Sequence, residues 1–197
     1  MAKKTVLSKS TNKAQATPTN APSTAELEEP TPSQAFFSSY SSFTHDKNSS
    51  VASEFYRLCN QYGWKKGDQG REEAFEGYRK ALSIQFNNTY GSNENGLQEW
   101  QKLCEAIGIN PIPTNMKDCR EIQRLRIAVR NAHINLVDLI DKTNAGTRVN
   151  IFPSEMALSQ YTKSTGKFFP LDLAHAGGLL KYLLRHIMSP RRGEAGI

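Results

Sequence analysis

Apolar residues recur at helical spacing in separate segments along most of this chain, and that periodicity limits the fold to packed helices. From Val51 to Tyr62, and again from Phe75 to Tyr90, apolar side chains return every three or four positions. Turn-forming residues, mostly glycine, follow most of these segments and end the helices. No segment alternates apolar and polar residues over the length of a strand. We therefore expect an all-α fold, a single irregular or orthogonal bundle of five to six helices.

The N-terminal part of the chain lacks these apolar residues. Up to position 34 the only aliphatic residues larger than alanine are Met1, Val6 and Leu27. Such a composition cannot offset the entropy that ordering would cost. We therefore expect a disordered tail at 1–34, a helical domain at 35–188 and a flexible C-terminal tail at 189–197.

Residues typical of helix ends mark four of the expected helices. Residues 48–50 offer an N-cap to a first helix, and Gly63 is a natural stop for it. Asp68 can cap a second helix, and a third, short helix ends at Gly108. Ser154 can cap a fourth helix, after a short extended arm that contains valine, isoleucine and phenylalanine.

The longest predicted helix runs from Thr114 to Lys142. Its apolar residues follow a heptad-like seam made of Ile122, Leu125, Val129, Ala132, Leu136 and Leu139. A second, thinner stripe at Met116, Ile127 and Ile134 faces elsewhere, so we expect this helix to be buried on two sides, at the centre of the bundle. The last helix is expected from Leu179 to Met188.

Aromatic residues supply the candidate partner-binding site. Phe36, Phe37, Tyr40 and Phe43 gather on one face of a predicted two-turn helix. This segment either docks onto the domain or binds a partner protein, and docking is the simpler interpretation. Trp64 is a further candidate, either as an exposed side chain or as a plug at the junction between two helices.

Basic residues supply a candidate nucleic-acid-binding face. They lie on the long predicted helix opposite its apolar seam, at Lys117, Arg120, Arg124, Arg126 and Arg130. Lys65 and Lys66 extend this surface. The net charge of +6 is spread along the chain, whereas nucleic-acid-binding domains usually concentrate it on one face. The set is therefore either a solvated helix face or a surface for nucleic acid or an acidic partner.

No catalytic, cofactor-binding or metal-binding motif is recognisable. Ser164 to Lys167 superficially resembles a phosphate-binding loop but lacks the glycine and the hydroxyl residue of that motif. The histidines (His45, His133, His175 and His186) show no metal-ligand spacing. The cysteines (Cys59, Cys104 and Cys119) are expected to be buried, reduced thiols.

Signals for compartment and modification are few. The N-terminus has no secretory signal and no stretch of the chain is apolar enough to span a membrane, so we expect a cytoplasmic or nuclear protein. Thr17, Thr31 and Ser189 precede prolines and are minimal phosphorylation sites.

Several motifs together resemble a group of small fungal helical proteins without an established activity. They are FF-x₂-Y-x₂-F, EFYRLCNQYGW, LQEWQKLCEAIGI, NLVDLID, YTKSTGKFFPL and LLKYLLRHI. The resemblance covers about Phe36 to Ile187 and implies a fungal source and a free-standing domain. Residues 122–127 are extra relative to the group, so Arg124 and Arg126 would come from an insertion.

These features predict a non-enzymatic fungal interaction or regulatory protein that binds a protein partner. The alternative is a nucleic-acid- or chromatin-associated protein that uses the basic helix face. An enzyme without a recognisable motif is the second alternative. No cofactor is expected.

Overall fold

The computed structural model describes residues 29–110, 112, 119–169 and 178–190. Within them, seven α-helices, a two-stranded sheet and a 3₁₀ helix confirm the all-α class. Their order is α1 (Pro32–Ser38), α2 (Val51–Gln61), α3 (Gln69–Tyr90), α4 (Leu97–Ile107), α5 (Cys119–Asn131), β1 (His133–Ile134), α6 (Leu136–Asn144), β2 (Ile151–Phe152), α7 (Glu155–Thr165) and the 3₁₀ helix (Leu179–Tyr182). The predictions for residues 1–28 with Thr17, for His175 and for residues 191–197 lie outside the described residues.

Helices α2, α3, α4 and α7 begin and end where their capping residues predicted. Ser50 and Asp68 occupy the N-cap positions of α2 and α3. The Ser154 side chain accepts a hydrogen bond from the backbone of Ala157 and caps α7. Gly108 ends α4 in the left-handed conformation, at φ 73°. The bounds of these four helices therefore agree with the local sequence, although the Ser50 and Asp68 side chains make no capping hydrogen bond.

Helix α1 begins before the predicted boundary at residue 34 and ends earlier than the aromatic spacing suggested. Thr31 and Gln34 form a capping box, in which each side chain accepts a hydrogen bond from the other residue's backbone. The helix ends at Ser38, so the predicted two-turn helix through Phe43 is wrong. Tyr40 and Phe43 instead lie in a turn, where the Phe43 amide donates to the Tyr40 carbonyl at 2.9 Å.

The long predicted helix is wrong, because the chain breaks between α5 and α6. After Asn131 the backbone forms β1, which pairs antiparallel with β2. The sequence predicts no strand here, so this pairing is a correction. Asn135 then starts a new helix, since its side chain accepts hydrogen bonds from the amides of Val137 and Asp138 at 3.0 and 3.1 Å. Residues 114–118 of the prediction lie outside the described part.

The predicted last helix is also wrong. Leu179–Tyr182 forms a single 3₁₀ turn, and the chain from Leu183 to Pro190 is irregular. Arg185 explains this path, because its guanidinium donates to the carbonyls of Val129, Arg130 and Ala132 at the C-terminal end of α5. The segment is therefore fixed by contacts with α5 and not by its own helical bonds.

Within the described residues, the core consists of two apolar clusters. One cluster is built mainly from α4, the end of α5 and the 3₁₀ helix, around the fully buried Trp100. The other is built from α1, α2 and the first half of α3, around Phe37 and Leu58. Helix α6 contributes residues to both clusters and is therefore buried on two sides. The second stripe predicted on the long helix is wrong in its described part, because Ile127 is 58% exposed and Ile134 lies in β1. Among the helices described, none combines the length and apolarity needed to cross a bilayer.

Candidate functional site

Three aromatic side chains form a continuous patch at the C-terminal end of α2, which we call the aromatic surface (Tyr40, Tyr62 and Trp64). The rings of Tyr62 and Trp64 stack with centroids 4.8 Å apart. Tyr40 meets both rings edge-on, at 5.8 and 6.1 Å. Tyr62 is 37% exposed and the other two are half-buried. The patch is therefore accessible and is held by contacts between its own rings.

The backbone positions Trp64 on α3. Gly63 turns the chain with φ 66°, and the Trp64 amide donates to the Cys59 carbonyl at 2.9 Å. The indole then lies over Gly70, where an added Cβ would come within 2.8 Å of Nε1. Glycine at position 70 therefore allows the indole to approach the helix. Trp64 combines both predicted roles, since it plugs the helix junction and presents a surface.

Two of the candidate partner-binding residues are corrected by the structure. Phe37 is fully buried and Phe43 is 6% exposed, both in the cluster of α1, α2 and α3. Phe36 is half-buried, with its ring beside Gly77. The aromatic segment thus docks onto the domain, and only Tyr40 of its four rings belongs to the aromatic surface.

Lysines and acids lie together beside the aromatic surface. Lys65 and Lys66 follow Trp64 and are exposed. The Asp68 carboxylate accepts a hydrogen bond from the Lys65 amide at 2.7 Å, which orders this linker. Burial raises the pKa of Tyr40, with smaller contributions from neighbours that include Glu73. The positive charge here is therefore local and partly offset by acids.

The basic face predicted on the long helix is not a single surface. Arg126 is half-buried, pairs with Glu94 at 3.9 Å and lies over the Tyr182 ring at 5.3 Å. Arg126 therefore holds α5 against the 3₁₀ helix, and its assignment to a solvent-facing site is corrected. Arg124 and Arg130 are exposed, and Arg124 also interacts with another group of the protein. Lys117 and the side chain of Arg120 lie outside the described residues.

Glu94 connects the loop before α4 to the 3₁₀ helix and to Trp100. Its carboxylate pairs with Lys181 and accepts a hydrogen bond from the Tyr182 hydroxyl at 3.0 Å. Its carbonyl accepts from the Trp100 indole at 2.8 Å. The hydrogen bond from Lys181, together with the Tyr182 hydroxyl and nearby Arg126, lowers the pKa of Glu94 despite partial desolvation. No local sequence pattern could reveal this cluster, because its members are far apart in the chain.

The loop that superficially resembled a phosphate site is the end of α7. Lys167 pairs with the largely buried Asp138 at 2.5 Å. The side-chain amide of Asn135 donates to Thr162 Oγ1 and to the Lys167 carbonyl, both at 3.0 Å. Burial opposes the charge on Lys167, but the hydrogen bond to Asp138 and the electrostatic attraction of Asp138, Tyr161 and Asp141 together outweigh it and raise the lysine pKa. The Lys167 side chain therefore links the segment after α7 to α6 and is not available to bind a phosphate.

A cavity of about 300 Å³ lies between α2, α3 and the segment after α7. Aromatic side chains dominate its lining, with two cations and one carboxylate beside them. Ala52, Phe55, Tyr56, Lys66, Arg71, Glu72, Phe75, Tyr78, Gly166 and Phe168 make up the lining. Sequence reasoning missed this site, because its residues come from three separate segments.

The cysteines and histidines of the described residues do not form a reactive centre. Cys59 and Cys104 are free and buried, and burial raises both thiol pKa values, that of Cys104 to about 11. His45 stacks on the Phe37 ring at 4.6 Å, and burial lowers its pKa. Within the described part of the chain, no three His, Cys, Asp or Glu side chains are grouped to hold a metal ion. The Cys119 side chain lies outside that part.

The chain matches no family model, no curated protein and no solved structure. The resemblance to the fungal group therefore stays a prediction from the sequence.

Proposed function

We propose that this is a non-enzymatic interaction protein that binds a protein partner through the aromatic surface. The observation that carries the proposal is the partly exposed stack of Tyr62 on Trp64, with Tyr40 against both. Such rings supply a large contact area at a low cost in conformational entropy. A fungal source is proposed on the resemblance alone. A cytoplasmic or nuclear location is supported by the free, buried Cys59 and Cys104.

The chemistry of the surface favours a short acidic segment with one apolar anchor residue. The three rings offer a place for an apolar side chain, and Lys65 and Lys66 stand beside them to attract carboxylates. The lysines are flanked by Asp68 and Glu72, which reduce the attraction for a highly charged polymer. A peptide with a few carboxylates fits this moderate charge better than a nucleic-acid backbone does.

Nucleic-acid binding is the second candidate, supported by the exposure of Arg130, Lys65 and Lys66. Bases could stack on the same rings while the cations contact phosphates. The engagement of Arg126 with Glu94 removes one member of the expected basic face. We therefore rank nucleic-acid binding below the protein partner, with an enzyme of unrecognised motif third.

Selection from a peptide library displayed on phage tests the proposal with the full chain as bait. We expect enriched peptides to combine an aromatic or aliphatic residue with Asp or Glu. Their binding should fall about tenfold or more in the variant Tyr62→Ala, as truncation of an interface anchor does. The matched control is Ile84→Ala, since Ile84 is 41% exposed on α3 but lies outside the aromatic surface.

Nucleic acid is tested in parallel by fluorescence anisotropy with mixed-sequence duplex DNA and single-stranded RNA at two salt concentrations. The proposal predicts no saturable binding at micromolar protein. Salt-sensitive binding that is lost in Lys65→Glu and Lys66→Glu, with no enriched peptide, would reverse the ranking.

A further inference from the structure

The cavity between α2, α3 and the segment after α7 has walls that are already in place. The Tyr56 hydroxyl donates to the Gly166 carbonyl at 3.0 Å and fixes the chain where α7 ends. The next residue, Lys167, pairs with Asp138 through its side chain, and its carbonyl accepts a hydrogen bond from the Asn135 side chain. The opening therefore does not depend on a movement of this segment.

Aromatic rings form most of the cavity wall. Phe55 and Tyr78 stack at 4.7 Å, and Phe75 packs at 5.6 Å from Phe55. Phe168 lines the cavity from the segment after α7. At about 300 Å³ the space is at the small end of ligand pockets, and its ring-lined walls suit a flat apolar group.

The polar groups of the cavity define what such a ligand must carry. Arg71 and Lys66 contribute two positive charges, and Glu72 contributes one negative charge. The Tyr78 hydroxyl is buried and has no hydrogen-bond partner in the structure, but it lies near Asp141, which is not part of the cavity lining, so only the ring of Tyr78 is assigned to ligand binding. The excess of one positive charge favours a singly charged anion.

We propose that this cavity binds a small aromatic carboxylate. Its ring lies against Phe55, Phe75 and Tyr78, and its carboxylate faces Arg71 and Lys66. This site is separate from the aromatic surface and does not depend on the protein partner, although Lys66 lies at the border of both. No covalent step is involved, and the ligand binds reversibly.

Isothermal titration calorimetry of the full chain tests the proposal with naphthalene-2-carboxylate as the probe. Its matched neutral probe is naphthalene-2-carboxamide, which has the same ring and no charge. We expect one saturable site for the carboxylate and an affinity about fivefold or more lower for the carboxamide, the size of a partly exposed ion pair. Tyr62→Ala should leave both affinities unchanged.

Variants that remove one positive charge test which residues bind the carboxylate of the probe. Arg71→Gln should weaken the carboxylate about fivefold while leaving the carboxamide unaffected, and Lys66→Gln, in an exposed linker, should act in the same direction. Arg148→Gln is the control, since Arg148 is exposed and lies outside the cavity. The proposal is overturned if neither probe saturates at millimolar concentration, or if Arg71→Gln and Arg148→Gln give the same carboxylate affinity.

Discussion

The Glu54 carboxylate receives two hydrogen bonds from the Arg57 guanidinium, at 2.8 and 2.6 Å, although Glu54 is only 2% exposed. The same carboxylate accepts from the Asp46 amide at 2.7 Å, and Arg57 also donates to the Thr44 carbonyl. The pair therefore ties the loop after α1 to α2. The guanidinium also lies 4.2 Å from the centroid of the Phe43 ring, which extends the tie into the core.

Glu54→Gln should lower the free energy of unfolding by about 1–2 kcal/mol, because the buried carboxylate loses charge-assisted bonds while Arg57 stays half-exposed. Glu76→Gln is the matched control. Glu76 also precedes an arginine by three positions, but it is 67% exposed and 3.7 Å from Arg79. The control should cost no more than about 0.5 kcal/mol. Urea denaturation of both variants measures the difference, and equal costs would contradict the tie.

The stability gap between wild type and Glu54→Gln should depend on pH. Burial raises the pKa of Glu54, but the bonds from Arg57 and the Asp46 amide outweigh it, so the folded pKa lies below the ordinary 4.5. The contribution is therefore complete above pH 4.5 and disappears as the pH falls through the folded pKa. Urea midpoints from pH 3 to 7 should show the gap closing at the acid end. A gap that stays constant would exclude this linkage.

Asn135→Ala should destabilise the domain by about 1–2 kcal/mol, since it removes the N-cap of α6 and the link to Thr162. Asn135→Ser should recover about half of that loss, because serine can cap the helix but cannot reach Thr162 on α7 and the Lys167 carbonyl that follows it. Thermal unfolding followed by circular dichroism provides the measurement. If serine and alanine are equally destabilising, the cap contributes nothing.

Phe37→Ala should cost about 3–5 kcal/mol, the usual range for a phenylalanine removed from a packed core. Phe36→Ala should cost clearly less, because Phe36 is only half-buried. The two adjacent residues thus form a matched pair that tests whether α1 belongs to the domain. A loss below about 1 kcal/mol at Phe37 would mean that α1 does not dock in solution.

Arg185→Lys should speed amide hydrogen exchange at the C-terminal end of α5. A planar guanidinium can donate to several carbonyls at once, and it places a positive charge at the negative end of the helix. Lysine keeps the charge but loses the fixed geometry, so we expect a loss of about 1 kcal/mol. Arg148→Lys, at an exposed position, serves as the control and should leave exchange unchanged.

Sequence reasoning succeeded where the determinants are local. The cap at Ser154 and the stop at Gly108 act within one helical turn, so they could be recognised directly. The aromatic surface could be predicted only in part. The sequence singles out Tyr40 and Trp64 as candidates, whereas Tyr62 stands in an apolar stripe of helical spacing.

Sequence reasoning failed where distant contacts decide the structure. The apolar seam continues from Val129 to Leu136 as if one helix ran through, yet the residues belong to α5 and α6. The break depends on Asn135 capping the second helix and on the pairing of β1 with β2. Arg126 belongs to the expected basic face, but its side chain is half-buried and pairs with Glu94, from the loop before α4. The ring-lined cavity likewise requires α2 and α3 to be side by side.

The aromatic surface can be tested directly by fluorine NMR, because the chain has only two tryptophans. Labelling with 5-fluorotryptophan gives one resonance from Trp64 at the surface and one from Trp100, which is fully buried. The variant Trp64→Phe assigns the two signals. On titration with an acidic peptide from the phage selection, we predict a saturable shift of the Trp64 resonance and an unchanged Trp100 resonance. A peptide that binds by calorimetry but leaves the Trp64 resonance unmoved would contradict the proposed partner site.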